Sequence, residues 1–214
     1  MRHILRTWLL LSSACVSLAL LGPSALAEQK VGQVIALSGQ ATVSHGKSAT
    51  PETLATHDQI YEKDVILTEP AAKVKIGFDD GTQVTLAELS RLEISEFVLT
   101  PKPKTPNAFF ILAAGAFRAI VSNVSQRDTF KVQTPTAIAA VKGTDWMGEV
   151  KAGSTGVVVL QGKVGVSNVN PAISGEVILT DLMGTDVAVN QPPTPPKAWG
   201  EKRRNALLQA TDLP

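Results

Sequence analysis

After residue 30, apolar and polar residues alternate with period two along most of the chain, which is the mark of half-buried β-strands. Val74, Ile76 and Phe78 fall on one side, and Lys73, Lys75 and Gly77 on the other. Asp79-Asp80-Gly81-Thr82 then turns the chain and Val84 and Leu86 resume the alternation, so the stretch predicts a hairpin. Gly81 supplies the positive φ such a turn needs, while the side chains of Asp80 and Thr82 can bond the turn backbone. Leu92 and Ile94, set against Arg91, Glu93 and Ser95, predict a third strand. Phe130, Val132 and Thr134 mark another, ended by Pro135. Val157 to Leu160 is a continuous apolar run, read as a strand buried on both faces, and Gln161-Gly162 turns it into the alternating stretch from Lys163 to Val166. Val177 and Leu179, then Val187 and Val189, complete the series. Short strands punctuated by Gly and Asp predict an all-β fold.

Residues 109–124, FFILAAGAFRAIVSNV, leave helix and strand both open. The alanines suit a helix, but Gly115 in the middle and the β-branched end favour strands. Pro101, Pro103 and Pro106, interleaved with Lys102 and Lys104, read as an extended surface loop. Pro192 to Pro196 form a stiffer exit in which consecutive prolines favour the polyproline conformation. Beyond it, residues 199–210 predict a short helix exposing Lys202, Arg203 and Arg204. The division that follows is a leader over residues 1–27, one all-β domain over 28–190, and a proline-rich linker with its tail over 191–214.

The leader changes the arithmetic. Arg2 and Arg6 precede a mostly apolar run from Trp8 to Leu21, Pro23 breaks the run, and Ala25-Leu26-Ala27 supplies small residues before a cut. This is the grammar of a secretory signal peptide, and the run is short of the roughly 20 residues that a spanning helix needs. Lipidation at Cys15 is the weaker reading, because Ser12, Ser13 and Ala14 lack the leucine-like residue such a site prefers. Cleavage after Ala27 takes 27 of the 214 residues and leaves 187; two arginines go and no acid, so the formal charge moves from +1 to −1. Cys15, the single cysteine, leaves too. A near-neutral chain advertises no nucleic acid, and a chain without thiols has neither a disulfide nor a cysteine zinc site. The expected location is the periplasm, with no membrane span in the mature chain.

An ordered set of segments resembles the FecR domain: VGQVIALSGQATV, Asp64-Val65-Ile66-Leu67-Thr68, VKIGFDDGTQVTL, Gly115-Ala116-Phe117-Arg118, FKVQTPTAIAAVKGTDW and VVVLQGKVGV, from about residue 31 to residue 189. The most specific piece is Thr134-Pro135 followed by Val141-Lys142-Gly143-Thr144-Asp145, with lysine where the family usually has arginine. The resemblance implies a twisted, solenoid-like stack of short strands and hairpins, with a β-sandwich as the alternative. It also implies kinship with the periplasmic parts of inner-membrane regulators that relay a signal from an outer-membrane receptor to an extracytoplasmic sigma factor. Those regulators carry a cytoplasmic anti-sigma segment and a membrane span ahead of the domain, whereas here a signal peptide precedes Val31. The chain therefore resembles the stand-alone exported members, and direct control of a sigma factor is not expected of it.

The motif residues Asp80, Gly81, Thr134, Pro135, Gly143 and Thr144 are read as structural, serving turns and backbone geometry. Lys142 and Asp145 are read as a pair across a strand face. His45 and His57 sit in the polar tripeptides Ser44-His45-Gly46 and Thr56-His57-Asp58, neither near a nucleophile-elbow sequence. Ligands for a metal are thin, no glycine-rich phosphate loop occurs, and neither catalysis nor a cofactor is expected. Phe78, Phe110, Phe130 and Trp146 are assigned to the core. Trp199 has two readings: it caps the domain, or it anchors the tail to a partner with Lys202, Arg203 and Arg204 aiding attachment to anionic envelope material. The expected function is a non-enzymatic interaction or signalling-associated module that meets another envelope protein through strand edges and loops. The alternative is a module binding an envelope glycan or other polymer.

Overall fold

The computed structural model describes residues 29–46, 50–98, 108–122 and 130–213. The leader with Cys15 and the Ala27 cleavage point, the 101–106 loop, and the last two residues of the 109–124 stretch lie outside the described residues. In chain order the elements are β1 (Lys30–Ser38), β2 (Ala41–Ser44), β3 (Glu52–Thr53), β4 (Gln59–Tyr61), β5 (Val65–Thr68), β6 (Lys73–Phe78), β7 (Gln83–Leu86), β8 (Arg91–Phe97), β9 (Ala108–Ile120), β10 (Phe130–Gln133), β11 (Ala137–Val141), β12 (Asp145–Lys151), β13 (Ser154–Gln161), β14 (Val164–Asn168), β15 (Glu176–Leu179), β16 (Met183–Ala188), β17 (Lys197–Ala198) and α1 (Glu201–Ala210). The fold is all-β with a short helical tail. No helix among the described residues is long and apolar enough to cross a membrane.

The strands make two facing layers that share one strand. The first layer runs β4-β1-β6-β7-β9-β12-β13-β16-β17. The second runs β3-β2-β5-β8-β9-β10-β11-β14-β15. Every pairing is antiparallel except that of β9 with β10. Successive hairpins cross between layers: β5 and β8 pair in the second layer while the β6–β7 hairpin between them lies in the first. The same pattern recurs with β11 and β14 around β12–β13. The result is two packed layers built by hairpins that wrap from one to the other.

The ambiguous stretch is strand through Ile120, where β9 ends, and it is the hinge of the architecture. The first half of β9 pairs with β8 up to Ala114, and the second half pairs with β12 from Gly115 onward. Gly115 makes the change of layer at φ +83°, with Ser90 packed so closely that a Cβ there would strike it. An alanine would fail on both counts. Ser90 Oγ donates to Ala116 O (3.1 Å) and accepts from Ala116 N (3.1 Å), which pins the bend.

Alternation decides which residues meet between the layers. Val74, Ile76 and Phe78 of β6 are buried, and the Phe78 ring packs on Phe97 and Phe110 at 5.1 and 5.3 Å, with Phe130 a further 4.9 Å from Phe110. Trp146 lies in the same core, edge-on to Phe117 at 4.8 Å. The apolar run in β13 is buried on both faces because it has two covers: Val157 and Val159 join the core between the layers, while Val158 joins Met147, Trp199 and Leu207 on the outer side. Burial of each such side chain contributes about 1.5–3 kcal/mol, so the core between the layers dominates the fold's stability.

Candidate functional site

The six motif residues do turn and joint work. Thr82 N and Oγ1 donate to the two carboxylate oxygens of Asp80 at 2.9 and 2.7 Å, and Gly81 takes φ +83°. Thr134 Oγ1 accepts from Ala137 N (2.9 Å) and meets Thr155 Oγ1 at 2.7 Å, while Thr136 Oγ1 donates to the same hydroxyl at 2.8 Å. These buried threonines tie the second layer to β13 of the first, and exposed Pro135 forms the turn above them. Thr144 Oγ1 donates to Lys163 O (2.9 Å), joining the turn at Gly143 (φ +59°) to the one at Gly162. The expected Lys142–Asp145 pair is not formed. Asp145 instead takes a two-pronged bond from Arg118, at 2.9 Å from Nε and 2.7 Å from Nη2, because β12 pairs with β9, and Lys142 is exposed. The bond to Asp145 raises the Arg118 pKa, against a smaller lowering from burial.

The tail residues singled out in the sequence close over the first layer. Trp199 is 4% exposed and lies across the outer faces of Gly156 and Gly184, where a Cβ on either strand would collide with the ring. Glycine inside a strand marks such a close approach. Arg203 is half-buried rather than exposed. Its guanidinium stacks on the Trp199 ring 3.4 Å from the centroid, grips Asp186 through Nη1 (3.0 Å) and Nη2 (2.6 Å), and donates from Nε to Glu149 at 2.8 Å. The bond from Arg203 holds the Asp186 carboxyl below its ordinary pKa, against burial. For Arg203, burial pulls downward but the bonds to Asp186 and Glu149 win and raise it. Arg204 is half-buried, with Nη1 reaching Trp199 O at 3.3 Å, and Lys202 stays exposed. At the far end, Lys73 Nζ donates to Gln209 O and Asp212 O, and Lys75 Nζ to Leu213 O. Of the two roles open to Trp199, this geometry is that of a cap.

What the tail leaves open is an edge of the second layer. β15 bonds to β14 and, among the described residues, to no further strand. It is four residues long, whereas the other three layer edges, β3, β4 and β17, have two or three. Val177 and Leu179 face inward, Glu176 and Ile178 outward, and Ile178 is 56% exposed with Leu182 at 49% just beyond the strand. Neither proline nor lysine lies within β15, and its one charge is Glu176 at the start of the strand.

A third feature was missed in the sequence. His45 Nδ1 lies 2.8 Å from Oδ1 of Asp64, whose side chain is fully buried and also accepts from Tyr61 N at 2.8 Å. Beside them is an open cavity of about 320 Å³ lined by residues including Glu52, Asp58 and Tyr61. No three acids or histidines among the described residues converge as metal ligands. The pairing joins residues 19 apart, which no local spacing signals.

Residues 64–165 match the family model described as FecR protein, a span that holds β5 through β13 and the start of β14. Two crystal structures of a candidate anti-sigma factor from Parabacteroides distasonis ATCC 8503 share the fold, each with a TM-score of 0.54 at 17% identity over 68% of this chain. The chain spans 64% of the length of those structures. No curated protein sequence matches it.

Proposed function

We propose that this FecR-matching chain is an exported, non-enzymatic interaction module of the cell envelope, associated with signalling, which receives an extended segment of a partner protein along β15. The observation that carries the reading is the open edge with its exposed Ile178. Unpaired strand backbone offers a partner main-chain hydrogen bonds, and an exposed apolar residue offers it an anchor. The leader sequence supports a periplasmic setting. The FecR match and the anti-sigma-like fold support a signalling association. A protein partner is favoured over a glycan because sugar recognition often uses exposed aromatic faces, and the described aromatics are buried except half-buried Tyr61 and Phe109.

The test is in-cell crosslinking of the tagged chain, followed by mass spectrometry of what it captures. We expect one enriched envelope protein with the wild type and its loss with Ile178→Lys, a charge of the kind that blunts natural edges. Capture unaffected by Ile178→Lys rejects the edge as the site. Recovery of polymer fragments without an enriched protein selects the glycan reading instead.

A further inference from the structure

The tail that covers the first layer is held by contacts the rest of the fold does not need. Gly200 stands at the N-cap of α1 and offers no side-chain bond, and the first turn sets Lys202, Arg203 and Arg204 against the single acid Glu201. Cations at a helix N-terminus oppose the helix dipole. Of the ten residues of α1 only Leu207 is buried. Met147, Val158, Trp199 and Leu207 form a cluster separate from the core between the layers, so parting them leaves that core whole. The indole Nε1 of Trp199 is buried over Gly184 with no hydrogen-bond partner among the described residues. A buried donor without an acceptor penalises the closed state, and the penalty ends when the ring meets water.

The surface beneath tolerates the tail's departure. Glu149 Oε1 accepts from Lys151 Nζ at 2.7 Å as well as from Arg203, so it keeps a cation when Arg203 leaves. Upstream the chain stays fastened, because Thr185 Oγ1 donates to Thr194 O (2.6 Å) and Asp186 N to Thr194 Oγ1 (3.0 Å). Beyond Thr194 the attachment to the sheet edge is the two-residue β17. What the tail vacates is a flat strip over Gly156 and Gly184, apolar at Met147 and Val158 and acidic at Glu149 and Asp186. Its present occupant shows what it reads: an aromatic ring and, four positions on, a guanidinium that stacks on the ring and meets both acids.

We infer that the tail, residues 197–213, is a displaceable cover, and that the strip beneath it is an interaction surface for a partner helix bearing an aromatic residue and, four positions on, an arginine. The partner takes the strip in competition with Trp199 and Arg203. This goes beyond the reading of β15 and does not depend on it. With the cover closed, the apparent affinity for such a segment falls by the fraction of chains that are open, so loosening the cover strengthens binding.

The test is fluorescence polarisation of a labelled peptide of residues 197–213, titrated with the full mature chain up to submillimolar concentration. Wild type should bind it weakly, and the Arg203→Ala chain about tenfold more tightly or better. Peptides carrying Trp199→Ala or Arg203→Ala should lose about tenfold or more in affinity for that loosened chain, and adding Asp186→Asn to the chain should weaken it likewise. Hydrogen exchange of the wild-type chain gives a second reading that needs no variant: amides of α1 should exchange about a hundredfold faster than those of β12 and β13. The proposal is overturned by an Arg203→Ala chain that does not bind the peptide, by equal affinity of the two chains, or by peptide variants that bind as well as the parent. It is overturned too by α1 amides that exchange only together with β12 and β13. Loss of binding on Ile178→Lys would move the peptide to β15 and overturn it as well.

Discussion

The outer face of the first layer and the edge of the second solve the same problem in opposite ways. Both present strands that need cover. On the first layer the chain supplies it: two strand glycines, Gly156 and Gly184, flatten a seat, Trp199 fills it, and Arg203 locks the ring with Asp186 and Glu149. At β15 the outward side chains Glu176 and Ile178 lie over Gly165 of β14, but among the described residues no ring or guanidinium covers them and Ile178 stays 56% exposed. The difference teaches how to tell an internal contact from an external one. Where small residues, a large ring and matched charges converge, the chain has written both halves of the contact. Where one half is present alone, as at Ile178, it marks the place the proposed partner would complete.

The comparison breaks most visibly at Gly184. Gly184→Val places methyl groups where the Trp199 indole lies, and an overpacking clash of this kind costs about 3 kcal/mol at its upper end. For a chain of this size that lowers Tm by roughly 6–12 °C. Indole emission should shift to the red as Trp199 reaches water, while Trp146, buried between the layers, stays unaffected. An unchanged melting curve would mean that the tail contributes no stability and that the sealed face is sealed only in appearance.

Acid sharpens the same contrast with a smaller effect. Because Arg203 holds the Asp186 carboxyl below its unfolded value, the contribution is fully present above about pH 4 and is lost as pH falls through the depressed folded value. Both side chains are about a third exposed, so the loss amounts to less than about 1 kcal/mol. Wild type should lose more Tm between pH 7 and pH 3 than Asp186→Asn does. Equal losses would remove Asp186 from the lock.

Much of this was legible in the sequence, and the limits have a physical reason. Period-two alternation gave β6, β8 and β10 because each is half-buried, and the Gly81 hairpin, which brings in β7, followed from backbone sterics alone. Gly115 was visible as a helix breaker, but its use as the crossing between layers depends on Ser90, 25 positions away. The lock on Trp199 was half visible: strand glycines signal close approach, yet nothing local joins Gly156, Asp186 and Arg203. The Asp145 partner was misassigned to Lys142, since three residues along the chain is nearer than 27 but β12 lies beside β9.

The finest test compares one chemistry at two places. Leu207→Thr and Ile178→Thr each exchange a branched apolar side chain for a smaller polar one. Leu207 is 5% exposed beneath the tail, in contact with Met147, Val158 and Trp199, so the change leaves a cavity and buries a hydroxyl, costing about 2–4 kcal/mol. Ile178 already spends most of its surface in water and sits in a strand, where threonine is equally at home, so the same change should fall within about 0.5 kcal/mol. The informative result is the second. If Ile178→Thr destabilised the isolated chain as much as Leu207→Thr, then Ile178 would be supporting its own fold, and the exposed edge would lose its claim to be kept for a partner.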